Sequence, residues 1–197
     1  MFARLKSLDD RIFDNIPRIH RPAINRIMVT ATRLGNAGII WWFVCLMFLI
    51  SPKWRYTGLV IIFSIGLTSL MGEGIIKHAV KRVRPCHDLD EEDKLLNNPR
   101  TFYSFPSGHT ASSFAVAMVV ILSHCPVYVT LPILMIASLI GFSRVYLRVH
   151  YLTDVDRFAI NFYFLIHFIA PIIKSAQKPI LSLWALSLLI LYCCEPT

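Results

Sequence analysis

Charged residues are scarce in this sequence: Asp, Glu, Lys and Arg make up 16% of its 197 residues, whereas 55% are hydrophobic. Soluble globular domains have about 25% charged residues. The few charges also fall between apolar runs and do not form a polar surface of their own. This composition excludes an ordinary soluble domain and predicts an integral membrane protein.

Long hydrophilic stretches are also missing, apart from residues 86–105. A membrane-spanning helix needs roughly 20 mainly apolar residues. We therefore expect an all-α polytopic bundle that forms one domain over residues 1–197, with no separate soluble domain. About six segments qualify as spans: Ala37–Ile50, Thr57–Val83, Ala111–Leu122, Val127–Phe142, Phe158–Ile173 and Pro179–Cys194.

The N-terminus has no apolar core of the kind found in a cleavable signal peptide. Residues 1–34 instead place apolar side chains at helical intervals among acids and bases. This pattern is typical of an amphipathic segment on the membrane surface. Pro17 and Pro22 should divide it, so that a second short helix follows over residues 23–33.

Patterns typical of metal or nucleic-acid binding are absent from the sequence. The five cysteines have no Cys-x-x-Cys spacing, and the acidic run of residues 88–93 fits a solvated lid or headgroup-contacting loop better than a metal cage. We therefore expect no metal or cofactor. The net charge of +8 is scattered between apolar runs, which favours an anionic lipid or phosphate as partner over nucleic acid.

Residues 143–154 contain polar groups that a membrane boundary alone does not require. His150 and Asp154 are four residues apart, which on a helix would place them within hydrogen-bonding reach. A carboxylate on one imidazole nitrogen would leave the other as a nucleophile or base. Arg144 adds a planar cation suited to phosphate. The alternative is a polar helix end that extends to the membrane interface.

The second predicted span contains two further cations. Glu73 and Lys77 form an i,i+4 pair of opposite charge inside an apolar helix. Lys77 and Arg84 are two helical turns apart, so both should point into one pocket before Pro85 ends the helix. Lys81 and Arg82 look like an ordinary basic helix end.

A third polar group precedes residues 111–122. Ser107 is a good N-cap residue, and Gly108 lets an oxyanion approach the backbone closely. The N-terminus of the following helix would attract an anion. His109 is placed to donate or accept a proton. The alternative is a plain helix start.

The predicted topology brings these three groups to one side of the membrane, because the second span ends, the third begins and the fourth ends there. The turns on the other side carry Lys53, Arg55, Lys174 and Lys178 without an acid. Basic loops favour the cytoplasm, so we expect the polar groups on the extracytoplasmic face. A disulfide between Cys86 and Cys193 or Cys194 is then a further hypothesis.

Together the three groups resemble the signature of the type 2 phosphatidic acid phosphatase family, whose membrane branch hydrolyses lipid phosphates. The resemblance covers residues 77–154, and the six-span layout extends it to the whole chain. The matching motifs are Lys77-x6-Arg84-Pro85, Pro106-Ser107-Gly108-His109 and Ser143-Arg144-x5-His150-x3-Asp154.

The resemblance implies a role for each matching residue and no metal. His150 would be the nucleophile that forms a phosphohistidine, with Asp154 orienting it. His109 would protonate the leaving oxygen and then activate water. The phosphate-binding residues implied are Lys77, Arg84, Ser107, Gly108 and Arg144.

Three functions remain open at this point. The favoured one is a lipid phosphate or diphosphate phosphatase of a bacterial plasma membrane, acting on undecaprenyl diphosphate, phosphatidylglycerol phosphate, phosphatidate or lipid A phosphates. The others are a phosphotransferase on the same scaffold and a non-enzymatic lipid-binding or transport protein. The sequence does not decide the oligomeric state. Asp156 and Arg157 depart from the small-residue helix of many relatives, which affects the packing of the fifth predicted span.

Overall fold

A computed structural model describes residues 2–95 and 102–156, with isolated positions at 171 and 175. Helices account for nearly all regular structure in these residues, and Val83 and Tyr103 form an isolated bridge. This agrees with the all-α prediction. The α-helices are α1 (Phe2–Asn15), α2 (Pro22–Leu34), α3 (Ile39–Ile50), α4 (Arg55–Ser69), α5 (Lys77–Val80), α6 (Gly108–Leu122), α7 (Val127–Tyr146) and α8 (Leu152–Asp156).

The prediction of six spans is not confirmed. Two helices of the described chain are long and apolar enough to cross a membrane: Arg55–Val80, which joins α4 to α5, and α7. A third span is obtained if the bent pair Pro22–Leu34 and Asn36–Ile50, which meet at 56°, counts as one. Helix α6 is apolar but has only 15 residues. The last two predicted spans lie outside the described residues.

Helix α6 lies at the centre of the bundle and packs against α4 and α7, while α3 packs on α4. Small side chains such as Ala115 and Ala117 on α6 allow these close contacts. The core also includes the fully buried Trp41 of α3, whose indole N–H donates to the Ser113 hydroxyl at 2.9 Å. Ser113 donates in turn to the carbonyl of His109 at 2.6 Å, which ties the start of α6 to the core.

Large apolar side chains on the outer faces of the bundle are exposed. Examples are Phe43 on α3, Phe63 on α4, and Met135 on α7. Such a continuous apolar surface is unfavourable in water and is the surface expected of helices that face lipid. The outward faces therefore agree with the membrane assignment from composition.

The helix that begins at Arg55 does not continue to Pro85 as predicted. A π-helical segment, Leu70–Ile76, interrupts it, and the helix ends at Val80. Lys81 adopts a left-handed conformation (φ 50°), and the chain is extended at Arg84. Lys77 and Arg84 consequently do not share a helical face, and the prediction that two helical turns separate them is wrong.

The N-terminal segment packs against the rest of the bundle, whereas the sequence predicted only an amphipathic segment on the membrane surface. Helix α2 packs on α7 through the buried residues Met28, Ala31 and Thr32. Helix α1 packs on α8. Phe13 of α1 contacts the Arg148 guanidinium at 3.9 Å and the Tyr151 ring at 6.2 Å between centroids. Both helices therefore pack against the segment that carries the polar group of residues 143–154.

Candidate active site

The start of α6 is held next to α8. Ser107 is the N-cap residue, as predicted, and its N–H donates to the Asp154 carbonyl at 3.4 Å. Its hydroxyl accepts from Thr110 at 2.9 Å and does not cap the helix. The first helical residue is Gly108, earlier than the predicted start at Ala111. The N-terminus of α6 therefore points into the site that α8 borders.

A tight turn at the end of α7 places His150. Arg148 takes a left-handed conformation (φ 56°). This turn brings the N–H groups of Val149 and His150 back to the Arg144 carbonyl, each at 3.2 Å. The His150 side chain, only 2% exposed as a residue, thereby lies beside the cations of the site.

Arg84 contacts His150 directly. One terminal nitrogen of its guanidinium lies 2.9 Å from His150 Nε2 and donates to the Val149 carbonyl at 3.2 Å. Since a guanidinium can only donate, Nε2 is the accepting, unprotonated nitrogen. The remaining ring proton of the neutral imidazole is then on Nδ1, which faces Asp154. The nitrogen with the free electron pair is thus oriented toward a cation.

The predicted hydrogen bond between His150 and Asp154 is not formed. His150 Nδ1 lies 3.7 Å from Asp154 Oδ2, beyond hydrogen-bonding distance, and has no other partner in the described chain. His150 precedes α8, so the pair does not lie on one helix as its spacing suggested. Catalytic hydrogen bonds are often long before the substrate binds. The arrangement still orients the ring with Nδ1 toward the carboxylate.

Lys77 is buried and paired with Glu73, as the sequence predicted. Its ammonium lies 2.6 Å from Glu73 Oε2. The Glu73 side chain is 44% exposed and also packs on Gly108, where an added Cβ would lie 2.3 Å from Glu73 Oε1. The carboxylate therefore occupies the space between a buried cation and the first residue of α6.

Arg144 is buried between α7 and α2. One guanidinium nitrogen donates to the Thr32 hydroxyl, and Nε has no partner among the described residues. An unpaired buried donor is costly. A bound anion would satisfy it.

His109 lies in the first turn of α6, and its Nε2 is 2.8 Å from Asn36 Oδ1. The groups that act on it electrostatically are Arg144, His150, Arg84 and Lys77. Arg144, Arg84 and Lys77 act on His150 as well. The structure thus brings the three polar groups of the sequence together around one site, as predicted.

This environment shifts two titrations in the site. Burial, and then the positive charges of Arg144 and Arg84, lower the pKa of His150 well below its ordinary value. Burial raises the pKa of Asp154, opposed by the charge of Arg82. His150 is therefore neutral at neutral pH, which is the form that can act as a nucleophile.

Arg82 and Asp9 belong to the site, although the sequence did not indicate either. The sequence predicts an ordinary basic helix end at Arg82, whereas in the structure Arg82 donates to Asp154 Oδ1 at 2.7 Å and to Asp9 Oδ2 at 2.8 Å. Asp9 comes from α1 and is separated from Asp154 by most of the chain. Neither residue belongs to a spaced motif, so only the folded chain identifies them.

The remaining predictions concern the polar loop and the cysteines. Residues 2–95 and 102–156 contain no cluster of three or more His, Cys, Asp or Glu side chains that would hold a metal ion. Cys86 is buried and forms no disulfide with another described cysteine, and its two hypothetical partners near the C-terminus, Cys193 and Cys194, lie outside the described residues. Residues 96–101 of the polar loop and Arg157 also lie outside the described residues.

The chain is similar in sequence to proteins of a known family. Residues 57–155, which contain all the motif positions, match the PAP2 superfamily. The chain belongs to this superfamily. Phosphatidylglycerophosphatase B of Bacillus subtilis (strain 168) is a PAP2 relative 30% identical over 166 residues, covering 77% of this chain and 76% of its own. The family resemblance of the motifs is thereby confirmed.

The chain is also similar to one further curated relative and to two solved structures. Undecaprenyl-diphosphatase of Sulfolobus acidocaldarius is 30% identical over 132 residues, covering 67% of this chain and 62% of its own. The crystal structure of the transmembrane PAP2 type phosphatidylglycerolphosphate phosphatase from Bacillus subtilis superposes with a TM-score of 0.66 at 26% sequence identity. The match covers 90% of this chain and 88% of that chain. The crystal structure of Aquifex aeolicus LpxE superposes with a TM-score of 0.54 at 26% sequence identity. The match covers 77% of this chain and 87% of that chain.

Proposed function

We propose that this protein is an integral membrane phosphatase that removes phosphate from a lipid phosphate or diphosphate through a phosphohistidine at His150. Family membership supports the reaction class. The observation that carries the mechanism is the contact at 2.9 Å between Arg84 and Nε2 of His150. It places the unprotonated nitrogen of a neutral imidazole against a cation that would hold the phosphate.

The phosphate would bind between Lys77, Arg84 and Arg144. Phosphoryl transfer requires mainly positioning and positive charge around the equatorial oxygens. An oxygen of the phosphate would take over the N–H that Arg84 now directs at His150, and another would satisfy Nε of Arg144. Ser107 and the amide of Gly108, at the N-terminus of α6, would contribute further donors.

Two displacements then complete the reaction. Nε2 of His150 attacks phosphorus and the bond from phosphorus to the leaving oxygen of the lipid breaks. His109, protonated once the negative charge of the substrate lies beside it, gives its proton to that oxygen and becomes neutral. Asp154 stabilises the Nδ1–H of the resulting ring. The neutral His109 then takes a proton from water, whose oxygen attacks phosphorus; the bond between phosphorus and Nε2 breaks, its electron pair returns to His150, and inorganic phosphate is released. Dividing one difficult displacement into two in this way is the advantage of a covalent intermediate.

The substrate would be a lipid whose chains remain in the bilayer beside the apolar outer faces of the bundle. The named substrates of the relatives, phosphatidylglycerophosphate and undecaprenyl diphosphate, are the first candidates for this chain. We place the single catalytic domain in a bacterial plasma membrane, with its site on the extracytoplasmic face. The basic turn at Lys53 and Arg55, at the other end of the bundle, supports this orientation.

Phosphate release from purified protein in detergent or lipid discs tests the proposal. The panel would contain phosphatidylglycerol phosphate, undecaprenyl diphosphate, phosphatidate and a lipid A phosphate. We expect release of inorganic phosphate from at least one of them, and a loss of at least about 10³-fold in kcat for His150→Ala. His124→Ala, at an exposed position, is the matched control and should keep wild-type activity.

Trapping the intermediate makes the test specific to the mechanism. A substrate labelled in the phosphate should leave acid-labile, alkali-stable label on the wild type and none on His150→Ala. Near wild-type activity of His150→Ala would overturn the proposal. Transfer of label to a second lipid instead of water would redirect it to a phosphotransferase.

A further inference from the structure

The N-terminal helix contributes a buried carboxylate to the site. Asp9 is 2% exposed although it belongs to a helix whose neighbouring residues, Leu8 and Asp10, are exposed. A buried carboxylate is costly unless it is paired and hydrogen-bonded. The position of Asp9 therefore requires partners, and the structure supplies them from two distant parts of the chain.

The partners of Asp9 among the described residues lie next to Asp154, the residue proposed to orient His150. Its Oδ1 accepts from the backbone N–H of Thr153 at 3.0 Å, and its Oδ2 accepts from the Thr153 hydroxyl at 2.5 Å. Oδ2 also accepts from Arg82 at 2.8 Å. The carboxylate thus holds the residue that immediately precedes Asp154, together with the arginine that contacts it.

Arg82 connects the two carboxylates. One terminal nitrogen donates to Asp9, and the other donates to Asp154 Oδ1 and to the Thr153 hydroxyl, both at 2.7 Å. The guanidinium also lies over the Tyr151 ring at 4.0 Å from its centroid. These contacts fix the position of the Arg82 guanidinium. A planar guanidinium can donate to two carboxylates at once in this way, whereas the ammonium of a lysine cannot.

The bridge determines which oxygen of Asp154 faces the nucleophile. Because Oδ1 is occupied by Arg82, only Oδ2 is directed toward Nδ1 of His150, at 3.7 Å. Oδ2 also accepts from the Tyr151 N–H at 3.0 Å, which fixes the plane of the carboxylate. Without Asp9, Arg82 would have one anchor less and would be free to draw the Asp154 carboxylate away from His150.

We propose that Asp9 is a positioning residue: through Arg82 and Thr153 it fixes the carboxylate of Asp154 in the orientation that His150 requires. Helix α1 is then part of the catalytic centre as well as an amphipathic helix. This inference rests on the proposed function, because it assumes that Asp154 orients His150 as the nucleophile.

The test compares Asp9→Asn with Asp10→Asn, which removes the same charge from the adjacent, exposed position of the same helix. We expect kcat of Asp9→Asn to fall between about 10-fold and 10²-fold, as for small displacements of catalytic groups. KM should change little, because Asp9 does not touch the proposed phosphate site. Asp10→Asn should match the wild type in both constants.

Measuring Asp9→Asn in Asp154→Asn protein distinguishes a positioning role of Asp9 from a purely structural one. If Asp9 acts through Asp154, Asp9→Asn should cost little further kcat in Asp154→Asn protein. A purely structural role would lower kcat by the same factor in both backgrounds and would lower the thermal unfolding midpoint correspondingly. That result, or equal kcat for Asp9→Asn and Asp10→Asn, would overturn the inference.

The two proposals fail in different ways. If His150→Ala retains activity, the phosphohistidine mechanism is wrong and Asp9 has no nucleophile to support. If His150→Ala is inactive while Asp9→Asn equals its control, only the role of Asp9 is wrong.

Discussion

At the scale of single residues, the site depends on buried charge. Arg84 and Arg144 are nearly inaccessible to water, and the neutral His150 lies beside them. A buried donor without an acceptor is unfavourable, and Nε of Arg144 has none among the described residues, so the free protein is prepared to bind a phosphate. Burial, together with these charges, keeps the nucleophile unprotonated.

The pH dependence of the reaction should reflect this. The lowered pKa of His150 means that the imidazole stays neutral as the pH falls through the ordinary histidine value of about 6.5. Since kcat/KM reports the free enzyme, its acid limb should lie below about pH 6.5. A profile of kcat/KM between acidic and neutral pH, measured under constant ionic strength, checks this expectation.

Phosphate ionisation near pH 6 needs a control, because the substrate titrates in the same range. The profile should therefore be repeated with a lipid monophosphate and a lipid diphosphate. A limb that belongs to the protein keeps its position with both. A limb above pH 6.5 with both substrates would contradict the assignment of a lowered pKa to His150.

At the scale of elements, the π-helical segment Leu70–Ile76 has the clearest consequence. Such segments often occur at functional sites. Here the segment carries Glu73, whose carboxylate pairs with Lys77 and packs on Gly108. Both contacts are ones that a substrate phosphate would need. Glu73 therefore acts as an internal anion that the phosphate must replace.

Neutralising Glu73 should consequently favour substrate binding. In Glu73→Gln the ammonium of Lys77 loses a competing anion, and we expect KM to fall about 5-fold, equivalent to roughly 1 kcal/mol for a partly exposed ion pair. The inhibition constant of inorganic phosphate should fall in parallel. Steady-state kinetics with added phosphate measures both.

Glu92→Gln provides the matched control, because it removes the same charge from an exposed position of the polar loop. It should leave both constants near wild type. An increase of KM in Glu73→Gln would mean that Glu73 holds Lys77 in place for the substrate and does not compete with it.

At the scale of the whole molecule, the two ends of the bundle differ in chemistry. The turn after α3 and the turn before α7 border one cavity, which is lined in part by Ser51 and Cys125. The candidate site lies at the other end, where α5 ends, α6 begins and α7 ends. A membrane around the apolar outer faces would separate these two ends.

Labelling of single cysteines tests the proposed orientation. In a variant with the five native cysteines replaced by serine, Glu92→Cys should react with a membrane-impermeant maleimide in intact bacterial cells. Lys53→Cys, at the other end, should react only after permeabilisation. The opposite pattern would place the site on the cytoplasmic face. Phosphatase activity of both variants must be retained for the result to apply.

The sequence by itself determined the membrane class, the all-α architecture and which residues of the three motifs meet in the site. Apolar runs determine which solvent a helix tolerates, and spaced polar residues inside them, such as Lys77 and His150, stand out because burying them is costly. Local periodicity was less reliable. It missed the π-helical segment, which packs against α6, and the left-handed Lys81, because neither leaves a trace in hydropathy.

Only the tertiary structure decided how these residues are joined. The spacing of His150 and Asp154 suggested a pair on one helix. In the folded chain, Asp154 instead accepts a hydrogen bond from Arg82, and Nε2 of His150 contacts Arg84. Asp9 could not be inferred at all, since an acid in an amphipathic helix is normally solvated. Hydrogen bonds between residues far apart in sequence form only once the chain has folded, and hydropathy and spacing contain no information about them.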